Sequence, residues 1–363
     1  LLFLALGMLS TVQGQTKAIT VEDIYQGAFR TEGLDALRSL KNGKEYTVLN
    51  LDRASGAAQI DKYSYQTLEK LETLVSSQSI DGLTSFSAYE FSGDETKLLL
   101  ATDIEPIYRH SRLGVYYVYD IPLKSLTKVS DSKIQEPTFS PDGKQIAYGA
   151  ENNIYLFDIE AKSTKQLTTD GAKNTIINGI TDWVYEEEFA FVRAFEWNSN
   201  GTKIAFLRFD ETNVPEFSMD VYGTDLYPKP QVFKYPKAGE ENAKVTLHLY
   251  DVQSSVVSDI DLGGAYYIPR IKWMNNPNKL SVQTLNRHQN HLQLHAVNAN
   301  ANSVTLLMEE KDKAYVDITD NLTFLANDSF IWTSEQDGFN HIYLYSEAGP
   351  LMNQVTKGNW EVT

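Results

Sequence analysis

The sequence predicts an all-β fold: a β-propeller of four-stranded blades preceded by a short helix. Three observations carry this expectation. A strand–turn–strand unit recurs along the chain, clearest in Phe139-Ser-Pro-Asp-Gly-Lys-Gln-Ile-Ala-Tyr148. A second strand of alternating polarity follows most copies and commonly ends at Asp, as in Ile154-Tyr-Leu-Phe-Asp158. The copies recur at roughly 45 to 55 residues, the length of one four-stranded blade.

The elements follow in chain order. Residues 1–14, beginning Leu-Leu-Phe-Leu-Ala-Leu, read as the apolar part of an export signal truncated at its start. Val12 and Gly14 occupy the positions that small residues take before a cleavage site. The run is too short to span a membrane. Residues 15–40 form a leading segment in which 19–30 is expected to be helical, with Thr20 as cap and Asp23 in the first turn.

From Lys41 to Thr363 a period of two takes over, and this stretch is the predicted propeller domain. Copies of the hairpin unit begin at Lys41, Phe91, Phe139, Trp197, Trp273 and Leu325. In the Phe139 copy, Pro141 presets the turn and Asp142-Gly143 supplies the backbone freedom it needs. One blade cannot bury both of its faces, so blades stack around an axis. Six units without a closing repeat, and an end in mid-pattern, predict an incomplete ring in this chain.

Spacing is regular from Phe91 to Phe139 and then stretches, before Trp197 and again between Phe206 and Leu247. Insertions into a regular repeat are where function tends to be placed. The first holds Thr181-Asp-Trp-Val-Tyr-Glu-Glu-Glu-Phe-Ala-Phe-Val-Arg193. Three adjacent carboxylates among aromatics repel one another in a lowered dielectric, and the first cation arrives only at Arg193. Two readings stand at this point: a solvated acidic helix turn, or an anionic cup in an aromatic frame that awaits a cation.

Composition narrows the partners. The 363 residues carry a net charge of −16, which argues against nucleic acid or an anionic membrane surface and gives a mild attraction for cations. With no cysteine, disulfides, thiolate metal sites and a Cys nucleophile are excluded. No Gly-x-Ser-x-Gly elbow, His-Glu-x-x-His or phosphate-binding Gly-rich loop occurs, and six histidines make a hydrolytic triad within these residues unexpected. His288, His291 and His295 would share a face on a helix, but Leu292 and Leu294 alternate with polar residues as in a strand. No metal and no cofactor is therefore expected. Arg109-His-Ser-Arg112, on spacing alone, reads as a solvated basic turn. Asn200, Asn321 and Asn327 fit the glycosylation pattern, which is common by chance.

Asn178-Gly-Ile-Thr-Asp-Trp-Val-Tyr-Glu-Glu-Glu188 resembles the signature of the dipeptidyl peptidase IV group within the prolyl oligopeptidase family. The resemblance continues through Tyr108-Arg-His-Ser111, Asn213-Val-Pro215, Tyr235-Pro-Lys-Ala-Gly239, Gly338-Phe-Asn-His-Ile-Tyr343 and Lys357-Gly-Asn-Trp-Glu361. It covers most of the chain from Ile19 onward. It implies an exported serine exopeptidase, periplasmic or extracellular, that removes dipeptides with Pro or Ala second from free amino termini. Such proteins join an eight-bladed propeller to a carboxy-terminal α/β-hydrolase domain bearing Ser, Asp and His. On this resemblance the chain is most of the propeller, the hydrolase domain is missing, and the chain alone is expected to be inactive.

Carried over residue by residue, Glu187 and Glu188 would hold the substrate α-ammonium. Arg109 would donate to the carbonyl oxygen of the first peptide residue, and Glu186 would serve as spacing or support. Residues 214–239 correspond to an arm that contributes to a homodimer. Where the family has an aromatic and an Arg along the extended peptide, this chain has Val316-Asp-Ile-Thr-Asp-Asn321, so no residue is carried over there. Two rivals remain: a non-catalytic periplasmic propeller acting as a peptide- or protein-binding scaffold, and an endo-acting or acylaminoacyl relative that would not need paired glutamates.

Overall fold

The computed structural model describes residues 18–363 apart from Glu32, Leu34, Asp35 and Arg53, so the export signal expected at 1–14 lies outside the described residues. Helix α1 spans Val21–Tyr25, shorter than the expected 19–30. Thr20 caps it as expected: Asp23 N donates to Thr20 Oγ1 at 3.1 Å, and the Asp23 carboxylate returns to Thr20 N at 3.3 Å. No residue of α1 is buried, so it has no packed face beneath its cap. A helix without a packed face does not propagate far.

Six antiparallel sheets of four or five strands follow in chain order among the described residues. The first runs Leu37–Ser39, Glu45–Leu51, Ala58–Ser64 and Lys70–Ser76, and the second Ala88–Phe91, Lys97–Pro106, Arg112–Asp120 and Ser125–Lys128. The third comprises Gln135–Phe139, Gln145–Ala150, Asn153–Asp158 and Ser163–Gln166. The fourth has five strands, Ile176–Asn178, Phe195–Trp197, Lys203–Asp210, Lys244–Asp251 and Val257–Ile260. The fifth is Tyr267–Trp273, Lys279–Leu285, His291–Asn298 and Ser303–Lys311, and the sixth Thr323–Phe324, Phe330–Ser334, His341–Tyr345 and Leu351–Gln354. Each four-stranded sheet keeps its strands in sequence order, as the blades of a propeller do.

Each of the six copies of the predicted hairpin falls on a turn between adjacent strands of one sheet, the first turn in five of them and the turn between Phe195–Trp197 and Lys203–Asp210 in the fourth. The turn of the Phe139 copy is wider than Asp142-Gly143 alone suggests. Ser140 N donates to Gln145 O at 2.8 Å, and Gln145 N donates back to Ser140 Oγ at 2.9 Å. Ser140 Oγ in turn donates to Asp142 Oδ1 at 2.6 Å, while Gly143 adopts φ +67°. Ser92 and Asn198 repeat the role, accepting from Lys97 N at 3.0 Å and Lys203 N at 2.9 Å. The polar residue after the aromatic thus closes the loop from within, as Asx and Ser turns do.

In the second to fifth sheets the strand that follows the hairpin is buried on both sides rather than alternating, whereas Phe330–Ser334 of the sixth still alternates. Leu98 and Leu100 pack with Ile60 and Phe86 against the first sheet, while Leu99 packs with Ile146 and Phe157 against the third. Ile204 and Phe206 meet Ile154 and Leu156 of the third sheet, while Ala205 and Leu207 join Leu280 and Val282 of the fifth. Successive side chains point to opposite faces, so one strand feeds two cores at once. Fully burying such a Leu or Ile is worth about 1.5–3 kcal/mol.

Two insertions interrupt the fourth sheet. Residues 179–194 carry helix α2, Trp183–Phe189, and residues 211–243 carry a two-stranded arm, Glu216–Val221 paired with Lys229–Lys234. The first is pinned at its base: Thr181 N donates to Val192 O at 3.0 Å and Ala194 N to Gly179 O at 2.9 Å. Gly179 sits at φ +73°, and a Cβ there would lie 2.6 Å from Ile154, so only glycine fits.

Tyr185 ties α2 to the fifth sheet. It is 1% exposed, meets Phe209 edge-on at 4.9 Å, and its hydroxyl accepts from Ile268 N at 3.0 Å. Tyr185→Phe keeps the ring and leaves that buried N–H unpaired, a cost of about 1–3 kcal/mol. The urea midpoint of the variant, followed by tryptophan fluorescence, should fall accordingly; an unchanged midpoint would remove this bond from the account.

Candidate functional site

Helix α2 begins where Asp182, in extended conformation, accepts from Tyr185 N at 2.9 Å, and ends at Ala190 with φ +56°. Tyr185 and Phe189, four residues apart, share the inward face and meet edge-on at 5.0 Å. The three glutamates between them therefore cannot all point the same way, since successive residues rotate by ~100°.

The structure gives each a different environment. Glu186 is 2% exposed, and its Oε1 accepts from His110 N at 2.7 Å and Ser111 N at 2.9 Å. Glu187 is half-buried and pairs through Oε1 with Arg109 Nη2 at 3.1 Å. Glu188 is exposed and lines a cavity of 360 Å³ with Trp183, Lys237, Tyr267 and Arg287. It makes no ion pair of its own among the described residues. The predicted site residues Arg109 and Glu187 are thus brought into contact, and Glu188 follows on the same helix.

Arg109 reaches α2 from the tip of the second sheet, between strands Lys97–Pro106 and Arg112–Asp120. Ile107 N donates to Ser111 O at 2.9 Å and closes the turn. The basic turn is therefore not simply solvated. Its backbone is gripped by Glu186, while the Arg109 side chain remains 69% exposed.

An aromatic cluster joins both halves to the arm. Tyr108 lies 5.9 Å from Phe233, and Trp183 lies 4.3 Å from Tyr235. Phe217 and Phe233 complete the contact with Tyr235 at 5.5 and 6.0 Å. The root of the arm thus packs on the residue before Arg109 and on the first residue of α2.

Below the glutamates lie two acids that sequence reasoning did not single out. Asp182 lies within the motif and Glu211 outside it, although an acid directly after the apolar strand ending Leu-Arg-Phe-Asp210 is a visible signal. Both are 6% exposed. Burial pushes the Asp182 carboxyl up to about 7; the Tyr185 N–H opposes this and the negative charge of Glu211 adds to it. Glu211 is raised by burial, partly offset by Lys234. Lys234 itself donates to Val214 O at 2.8 Å. The Tyr108 phenol is pushed to about 12 by burial and by the field of Glu211, Glu186 and Asp182.

The histidines do not converge. His291 Nε2 contacts Glu309 at 2.8 Å on the outer strand, and His295 Nε2 contacts Thr284 at 3.1 Å on the inner one. Among the described residues no three His, Asp or Glu side chains could hold a metal ion. The 316–321 stretch, for which no role was carried over, borders a 700 Å³ cavity between the fifth and sixth sheets.

With this geometry in hand, comparison with known proteins decides the family. The family model described as "Dipeptidyl peptidase IV (DPP IV) N-terminal region" matches residues 92–363. The chain belongs to this family. Among dipeptidyl peptidase IV relatives, the crystal structure of Porphyromonas gingivalis dipeptidyl peptidase 4 matches with a TM-score of 0.89 at 37% identity, over 96% of this chain and 50% of that one. "Probable dipeptidyl-aminopeptidase B" of Chaetomium globosum is 29% identical over 402 residues, 97% of this chain and 43% of that protein. "Prolyl endopeptidase FAP" of Homo sapiens is 28% identical over 370 residues, 95% of this chain and 47% of that protein. The chain spans about half the length of the relatives it matches.

Asp182 gives this dipeptidyl peptidase IV N-terminal region a pH signature. Its folded value of about 7 exceeds the ordinary 3.8, so the folded state keeps a proton that the unfolded chain has lost. The stability it contributes is full below 3.8 and is lost as pH rises through about 7. Asp182→Asn caps the helix without titrating. Wild-type stability should therefore decline relative to the variant across that window and run parallel outside it. A difference curve that rises with pH would contradict the buried, protonated assignment.

Proposed function

We propose that this chain is the substrate-selecting propeller of an exported serine exopeptidase that releases amino-terminal X-Pro or X-Ala dipeptides. Glu187 and Glu188 hold the substrate α-ammonium, and Arg109 donates to the carbonyl oxygen of the first peptide residue. The catalytic triad lies outside this chain, which alone binds peptide and does not hydrolyse it. The single observation that carries the reading is the Arg109–Glu187 contact at 3.1 Å. It brings together a turn of the second sheet and an insertion of the fourth.

The chemistry supports these roles. A free amino terminus has a pKa of about 8, so it is mostly cationic at neutral pH and offers three donors. Two carboxylates on successive helical residues diverge by ~100° and can grip one ammonium from two sides. An exposed ion pair such as Arg109–Glu187 is worth about 0–1 kcal/mol, so Arg109 is readily exchanged for that ammonium. An internal peptide segment carries no such cation and would leave Glu188 without a charged partner and Glu187 with Arg109 alone. The cup therefore measures from the amino end.

A scaffold without catalytic purpose leaves this contact unexplained. The endo-acting alternative has a specific point in its favour, since one relative is named a prolyl endopeptidase. The two are separated in the full-length protein with Gly-Pro chromogenic amides and their N-acetylated counterparts. Glu187→Gln and Glu188→Gln should each lower kcat/KM on the free-amino substrate by about 30-fold or more, the equivalent of 2 kcal/mol or above. Little change is expected on the acetylated one. Unchanged kinetics on the free-amino substrate would remove these residues from the site.

The arm supplies the proposed homodimer contact. Its tip exposes Tyr222 at 78%, Leu226 at 89% and Tyr227 at 77%, more apolar surface than a solvated hairpin needs. Leu226→Lys with Tyr227→Asp should shift sedimentation from dimer to monomer. A dimer that persists with both changes would place the interface elsewhere.

A further inference from the structure

Resting on the reading of Glu187 and Glu188 as the ammonium cup, we infer that Glu186 is a positioning residue. Its carboxylate fixes the backbone of the 107–111 turn, and with it the origin of the Arg109 side chain, against the helix that carries the cup.

Three facts point there. Glu186 is 2% exposed, so it is closed off from an incoming ligand. Both of its backbone bonds, at 2.7 and 2.9 Å, go to one oxygen, Oε1. The donors, His110 and Ser111, directly follow Arg109 in the chain. A charged acceptor makes such bonds short and about twice as strong as neutral ones.

The bonds close a circuit. From α2 the path runs through Glu186 to the turn backbone, along it to Arg109, and through the ion pair to Glu187 on the same helix. The second link is exposed and must open when an ammonium takes Glu187. Without the first link, the turn would be tied to α2 only indirectly, through Tyr108 on the arm that Trp183 also touches. Glu186 therefore keeps the carbonyl donor in register during the very step in which the Arg109–Glu187 pair is given up. Misplacing a substrate-orienting group by about 1 Å costs on the order of 100-fold in rate.

Because a single oxygen accepts both bonds, a glutamine amide can replace the carboxylate, whereas a side chain without an acceptor cannot. In the full-length protein, Glu186→Ala should lower kcat/KM on a Gly-Pro amide by about 10- to 100-fold. Glu186→Gln should recover most of that loss. Adding Arg109→Ala to Glu186→Ala should change little beyond Arg109→Ala alone, because Glu186 acts through Arg109. If Glu186→Ala does not accumulate as folded protein, Glu186→Met against Glu186→Gln gives the same comparison at matched length.

Equal losses for Gln and Ala would make Glu186 a third charge for the ammonium and overturn the inference. So would multiplicative losses with Arg109→Ala, or wild-type kinetics in Glu186→Ala. The underlying reading fails separately, if Glu187→Gln and Arg109→Ala leave the kinetics intact.

Discussion

The structure depends on strands that are buried on both of their faces. Leu98-Leu99-Leu100 divides its side chains between two cores, and Ile204 to Leu207 does the same two sheets later. No sheet built this way is stable alone, because one face would be left in water. Stacking is thereby obligatory, and with it the relative placement of the loops that each sheet presents. The turn that carries Arg109 and the insertion that carries α2 belong to different sheets, and this scaffold brings them within hydrogen-bond distance.

On that scaffold an excess of negative charge is distributed rather than neutralised. One glutamate of α2 spends its charge on backbone N–H groups, one on an arginine, and one faces a cavity. Asp182 and Glu211 beneath them are eased by burial toward the protonated form. The aromatic cluster of Tyr108, Trp183, Phe233 and Tyr235 lowers the dielectric around all of these groups and makes each choice of partner count for more.

Much of the scaffold was legible in the sequence. The hairpin signature marked one turn in each of the six sheets, the Thr20 cap was visible, and both insertions announced themselves as stretched spacing. The extent of α1 was not, since a cap says where a helix begins but not whether a packed face will extend it. Nor did a period of two survive in strands such as Lys97–Pro106 and Lys203–Asp210, where burial on both sides erases alternation. The motif singled out the right run of glutamates but not their division of labour. Adjacent identical residues are indistinguishable in sequence, and the partner that separates Glu186 from its neighbours lies 75 and 76 residues earlier. The basic turn misled for the same reason: its exposed side chain looks solvated, and only its backbone reveals what holds it. Of the histidine cluster, His291 and His295 share a strand but answer to neighbours on opposite sides, and His288 lies in the turn before it.

The contact between Arg109 and Glu187 has a consequence for selectivity that differs from simple attraction. A resident guanidinium makes ligand binding an exchange, in which the newcomer must replace one cation and the released arginine must find another acceptor. A bare amine offers the first and not the second, and the exposed arginine it releases turns to water. A peptide offers both, since its own first carbonyl lies a fixed two bonds beyond its ammonium-bearing carbon. On the proposed reading, the resting site is thus a two-condition test. It favours a peptide over a bare amine by the one extra contact that Arg109 can make, without any steric barrier.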